Sequence, residues 1–209
     1  MAYRALLLDL DNTLFDRTAA MRAWADATAQ VELGRSLSDA EWQLLLEIDG
    51  RGHRAREEFA ADARKRLGLA VDAARFGHVL LEHIVPEPGV AETLARLAET
   101  KRIAVVTNGG TAQRAKLARL GLDAIVHAVF VSGEVGSTKP ALGIFDRAVK
   151  WTEQAPHHVL FVGDDPVIDL APAASLGIAT AWRARGQAWP SELAPPTHRI
   201  DSITELAAL

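Results

Sequence analysis

Three short runs of uninterrupted apolar residues, at 5–8, 103–106 and 159–162, each give way at their C-terminal end to polar residues and then to a stretch of helical character. That recurring pattern constrains the fold more than any other feature of the chain. Runs of this length are too short for a buried helix and lack the alternation of a half-exposed strand, so they read as strands buried on both faces. Strands alternating with helices predict an α/β architecture, a parallel sheet with helices on both faces. Ligands of such sheets bind beyond the carboxyl ends of the strands, which directs attention to what each run ends in.

The first run ends in Asp9 and Asp11, within the string LLLDLDNTLFD. Residues i and i+2 of an extended segment point the same way, so both carboxylates are expected to face one site. Two like charges that close call for a cation or a shared proton. The second run ends in Thr107-Asn108-Gly109-Gly110, ahead of a helical stretch over 111–120. A hydroxyl and glycine N–H groups at a strand-to-helix turn suit a phosphate, although a plain helix cap has the same composition. A strand-like segment over 128–132 is followed by Ser137-Thr138-Lys139-Pro140. Pro140 suits the first position of a helix, leaving Lys139 to neutralise a phosphate or a crowded carboxylate. The last run ends in Gly163-Asp164-Asp165, with Asp169 one helical turn further on. Asp165 reads as a second acid of the site or as a helix cap. Oxygen donors without thiols select a hard ion, and Mg2+ is the natural one beside phosphate.

Taken together, Asp9–Thr13, Thr107, Lys139 and Gly163–Asp169 resemble, in order, the motifs of the haloacid dehalogenase-like hydrolase superfamily, over nearly the whole chain from Leu6 to about Trp182. The resemblance implies a Rossmann-like core and a set of roles. Asp9 is the nucleophile that forms an aspartyl-phosphate, and Asp11 is the general acid and base. Thr107, Asn108, Gly109 and Lys139 bind the phosphoryl group. Mg2+ is held by Asp9, the Asp11 carbonyl and Asp164, while Asp169 positions Lys139 and Asp165 stands behind the metal site. Gln113 and Lys116 in the helix after the second motif, together with GDDPVID, most resemble small-molecule phosphatases such as pyrimidine 5′-nucleotidases and N-acylneuraminate-9-phosphatase.

Between residues 15 and 88 the strand–helix alternation stops. Helices are predicted over 17–33, 42–48 (opened by a capping box at Ser38–Glu41), 54–67 and 71–84. They make a four-helix bundle inserted in the core, giving a core of 1–15 and 87–209 and an insertion of 16–86. In the resembled superfamily a C1 cap stands there, and Val85-Pro86-Glu87-Pro88 is a stiff linker. The polar break over 47–54 reads either as a surface turn between helices or as the cap loop that meets the leaving group through Arg51 and His53. A tail over 183–199 reads as irregular chain before a short helix over 203–209.

Composition narrows the function further. A net charge of −4 gives no footprint for nucleic acid. With 0 cysteines there is neither a disulfide framework nor a thiolate nucleophile. His157 and His158 read as surface residues rather than ligands. The first apolar run is broken by Asp9 and no segment reaches membrane-spanning length, so a cytoplasmic enzyme acting on a small phosphorylated metabolite is expected. Other readings stay open: a β-phosphoglucomutase-like mutase, a 2-haloacid dehalogenase (disfavoured by Asp11, since no alkoxide leaves there), and a phosphometabolite-binding regulator without turnover. Substrate and oligomeric state are not legible.

Overall fold

The first apolar run forms β1 (Ala5–Leu8), buried at every position. Five more strands follow: β2 (Arg102–Thr107), β3 (Ala128–Val131), β4 (Val159–Gly163), β5 (Ala179–Arg183) and β6 (His198–Ile200). In this computed structural model, which describes residues 2–209, they form one parallel sheet in the order β3-β2-β1-β4-β5-β6. Leu8 lies level with Val105 on one side and Val162 on the other. Asp9, Thr107 and Asp164 therefore emerge at the same edge. The chain runs from β1 outward to β2 and β3, then returns to β4 on the opposite side of β1, and ligands of open sheets collect at such a reversal.

Contacts divide the chain into two units, one comprising the residues through Asp16 together with Val85–Leu209, the other Arg17–Ile84. The second unit holds α1 (Arg17–Leu33), α2 (Asp39–Asp49), α3 (Arg56–Leu67) and a single turn, α4 (Phe76–Val79), continued as 3-10 helix over Leu80–His83. The capping box at the start of α2 is present, with Glu41 N donating to Ser38 Oγ and Ser38 N to Glu41 Oε2. The core centres on Trp24, Phe59 and Phe76, the Trp24 and Phe76 rings meeting edge to face at 4.8 Å. The helix predicted over 71–84 forms only in its second half. Asp72 Oδ1 accepts from the backbone N–H groups of Ala74 and Arg75, a local bond that competes with helix and holds a turn there.

In the first unit the sheet is flanked by α5 (Val90–Ala98), α6 (Ala112–Arg119), α7 (Ser132–Val135), α8 (Leu142–Thr152) and α9 (Ala171–Ser175). Its core includes Leu7, Ile144, Phe145 and Phe161. Three local expectations are corrected. Strand β3 stops at Val131, where the chain turns into α7. Pro140 does not start a helix: the Lys139–Pro140 peptide is cis, Ala141 stays extended, and α8 begins at Leu142. The tail expected to be irregular contributes β6, and the last helix is a 3-10 stretch, Ile203–Ala208. Among the described residues no helix is long and apolar enough to cross a membrane.

Two arginines at the end of β5 gather the segments where the chain leaves and re-enters this unit. Arg183 donates to the Thr13 carbonyl at 2.9 Å and also to Glu87. Arg185 reaches the Asn12 carbonyl, Glu87 and, at 3.3 Å, the Asp16 carboxylate.

Candidate active site

Asp9 follows β1 directly, and its N–H donates to the Val162 carbonyl, continuing the pairing with β4. One carboxylate oxygen accepts from Thr13 Oγ1 at 2.9 Å and the other from Lys139 Nζ at 2.7 Å. Lys139 also donates to Asp169 Oδ1 at 2.7 Å, so one buried ammonium joins two buried carboxylates. Asp9, Asp164 and Asp169 each offer an oxygen, and these three oxygens lie within 4.8 Å of one another. Among these four groups carboxylates outnumber the ammonium three to one, in a site that excludes most water.

The pKa shifts follow from that imbalance. Burial alone would push the Lys139 ammonium down, yet the charges of Asp169 and Asp9 outweigh it and hold the pKa above the usual lysine value. Burial, reinforced by Asp9 and Asp164, pushes the Asp169 carboxyl up against the pull of Lys139. A divalent cation would relieve the excess charge, and an all-oxygen donor set fits a hard one.

The surrounding loops hold these groups in place. Gly163 lets Asp169 pack against β4, since a Cβ there would stand 2.5 Å from Asp169 Oδ2. The Asn108 side chain receives the Lys139 N–H at 2.8 Å and donates to the Lys139 carbonyl at 2.9 Å. It thereby joins the loop after β2 to the loop carrying the lysine. Ser132 Oγ accepts from Gly109 N at 3.0 Å, a brace with no signal in the sequence. Asp165 caps the helical turn after β4, accepting from the backbone N–H of Val167 and Ile168, both at 2.9 Å.

Asp11, which extended alternation would place on the same face as Asp9, has partners of its own on α6. Strand β1 ends at Leu8, Asn12 adopts φ 61°, and Asp11 bridges to Phe15 instead. The Asp11 carboxylate goes to Lys116, at 2.6 and 2.8 Å, and to Gln113 Nε2 at 2.8 Å. Gln113 also donates to Thr107 Oγ1 at 2.7 Å.

Residues 3–177 match the haloacid dehalogenase-like hydrolase family. The chain belongs to that family. A glyceraldehyde 3-phosphate phosphatase from Methanopyrus kandleri is 28% identical over 199 residues, covering 88% of this chain and 85% of that protein. A pyrimidine 5′-nucleotidase from Escherichia coli is 34% identical over 140 residues, covering 64% of this chain and 60% of that one. Among solved structures, a magnesium-bound hydrolase of the same family from Bacillus subtilis has a TM-score of 0.82 at 24% identity, covering 100% of this chain and 98% of that one. At that identity the likeness speaks to the fold alone.

In this haloacid dehalogenase-like hydrolase the helical unit carries its own charged cluster. Asp49, buried at the end of α2, accepts from both Nη atoms of Arg17 at 2.7 and 2.8 Å and from Arg56 at 3.3 Å. Immediately beyond it the chain turns through Gly50–Gly52, with Arg51 at φ 57°. Arg51 and His53 are both exposed. His157 is exposed and His158 half-buried beside β4, away from the carboxylate cluster in sequence and strand end alike.

Proposed function

We propose that this hydrolase is an Mg2+-dependent phosphatase that cleaves a small-molecule phosphomonoester through an aspartyl-phosphate on Asp9. The observation that carries the reading is the pairing of two differently held carboxylates. Asp9 lies in a buried cluster with Lys139 and two further acids. Asp11 stands outside that cluster with 24% of its side chain exposed. Asp9 is thus read as the nucleophile, and Asp11, paired with Lys116 yet reachable from solvent, as the group that exchanges protons.

In the first step an Asp9 oxygen forms a bond to phosphorus while the bond to the leaving oxygen breaks, and Asp11 gives that oxygen its proton. In the second, Asp11 takes a proton from water as the hydroxide attacks phosphorus and Asp9 departs. Thr107 Oγ1 and the loop after β2 support the phosphoryl oxygens, although the Gly109 N–H expected to face the phosphate is held by Ser132 Oγ instead. Lys139 offsets the repulsion between carboxylate and phosphate. Asp9, Asp164 and the Asp11 carbonyl would hold Mg2+, which when bound neutralises charge on the phosphoryl oxygens. The helical unit, residues 17–84, serves as the cap, and its 50–54 turn selects the leaving group. Relatives acting on triose phosphate and on nucleotides support a small phosphorylated metabolite as substrate without choosing one.

A mutase would share both acids, and hydrolysis without transfer to a second sugar hydroxyl separates the two. The direct test is phosphate release from p-nitrophenyl phosphate and a panel of nucleotides and sugar phosphates. EDTA abolishes it, Mg2+ restores it, and Ca2+, which prefers more ligands at longer distances, inhibits. Full activity after exhaustive chelation would overturn the assignment.

A further inference from the structure

Two buried polar side chains of α6 are left unused by the reaction as described. Gln113 and Lys116 are 4% and 5% exposed, and three residues apart on a helix they share one face. Burying an amide and an ammonium is costly unless each is bonded. Lys116 Nζ lies 2.6 and 2.8 Å from the two oxygens of Asp11 and 5.8 Å from the centroid of the Phe15 ring, the residue with which Asp11 bridges. The two N–H groups of the Gln113 amide go to Asp11 Oδ2 and Thr107 Oγ1, at 2.8 and 2.7 Å. A hydroxyl that accepts from Gln113 keeps its own proton to donate. Its contact to the Asn108 carbonyl is long, 3.4 Å. Room for the glutamine is made by Gly109, at φ +140°, where a Cβ would stand 2.9 Å from Gln113 Cγ.

We propose that Lys116 and Gln113 are positioning residues that hold the Asp11 carboxylate outside the carboxylate cluster, aligned for the leaving oxygen, and orient the Thr107 hydroxyl as a phosphate donor. The proposal rests on the phosphatase reading. It explains why Asp11, which lies beyond the end of β1 in an isolated bridge to Phe15 rather than on a rigid strand, still has a defined direction. Proton transfer requires that alignment, because a catalytic group displaced by about 1 Å can lose about 10²-fold in rate. Neither residue touches the substrate in this account; both act through Asp11 and Thr107.

The test is kinetic and uses leaving groups. Aryl phosphates with good leaving groups need little protonation, whereas alkyl phosphates such as glycerol phosphate need it fully. Lys116→Met is expected to lower kcat/KM for the alkyl substrate about tenfold or more beyond its effect on p-nitrophenyl phosphate, a share of the roughly 10²–10⁴ that general acid catalysis supplies. Lys116→Arg should restore the ratio. In an Asp11→Asn background Lys116→Met should add nothing, since its effect passes through the missing group. A merely structural lysine would reduce the active fraction and leave the alkyl-to-aryl ratio untouched. An unchanged ratio, or full additivity with Asp11→Asn, overturns the proposal. If Lys116→Met does not fold, Gln113→Met carries the same comparison. A wild-type protein inert towards every phosphomonoester overturns the phosphatase reading and this proposal with it; an active wild type with an unchanged ratio overturns this proposal alone.

Discussion

Lys139→Met takes one positive charge out of the sheet unit while nearly preserving the volume of the side chain. The ammonium lies 2.7 Å from both Asp9 and Asp169 with 2% of its side chain exposed, so water cannot take its place. Removing one partner of a buried ion pair costs about 3–5 kcal/mol, because the remaining charge stays buried. Here it would leave the oxygens of Asp9, Asp164 and Asp169 within 4.8 Å of one another without the ammonium that joins Asp9 to Asp169. With a urea slope of about 2 kcal/mol per molar, the unfolding midpoint in EDTA should fall by about 2 M. A cation that binds only the folded chain opposes the loss, by about 2.7 kcal/mol at a hundred times its Kd. That recovery should be larger for the variant, whose cluster carries one more negative charge, than for the wild type. Urea unfolding followed by circular dichroism, in EDTA and across a Mg2+ titration, measures both quantities. Equal midpoints for variant and wild type in EDTA would refute the idea that this ammonium balances the cluster.

Asp9→Asn should leave no measurable turnover, while Asp11→Asn should lose about 10²–10⁴-fold, and less on good leaving groups; activity in the first variant with none in the second would reverse the roles. Truncating Arg51 and His53 to Ala should raise KM for the preferred substrate and spare p-nitrophenyl phosphate, and identical kinetics on both would return the 50–54 turn to an ordinary surface loop. Burial pushes the Asp49 carboxyl up, but Arg17 and Arg56 outweigh it and hold the pKa below the ordinary 3.8. A depressed folded value means that the stabilisation is complete above the unfolded value and disappears as pH falls through the folded one. Melting temperature should therefore drop below about pH 4 in the wild type and drop less steeply in Asp49→Asn, other depressed carboxyls such as Glu87 keeping part of the limb; parallel curves would contradict it.

The sheet was legible because β1, β2 and β4 are continuous apolar runs with chemistry at their ends. Strand β6, with the sequence His198-Arg199-Ile200, has no such run and is recruited by its neighbour β5. The fourth insertion helix had the right periodicity, but Asp72 offered its own backbone neighbours a local bond. Lys139 was readable from its loop as a charge awaiting an anion, whereas its second partner, Asp169, 30 residues away, was named by family likeness and is met at 2.7 Å in the fold. The brace from Ser132 to Gly109 spans 23 residues and had no local signature. Gln113 and Lys116 stood out by family likeness; what they hold depends on the turn after β1, which strand alternation misdescribes.

The guanidinium pair at the end of β5 has a consequence for how such a chain can change over time. Arg185 binds Asp16 on the outgoing side and Glu87 on the returning side. The sheet unit thus ties its own two cut ends together with side chains that belong to it. Whatever chain is strung between those ends, it meets a socket already closed by bonds it did not supply. A helical insertion could be exchanged, lengthened or reduced to a short loop between Asp16 and Val85 while the Asp9–Lys139–Asp169 arrangement stays as it is. If the insertion is the cap proposed above, substrate choice and reaction chemistry are then separately heritable parts of one gene.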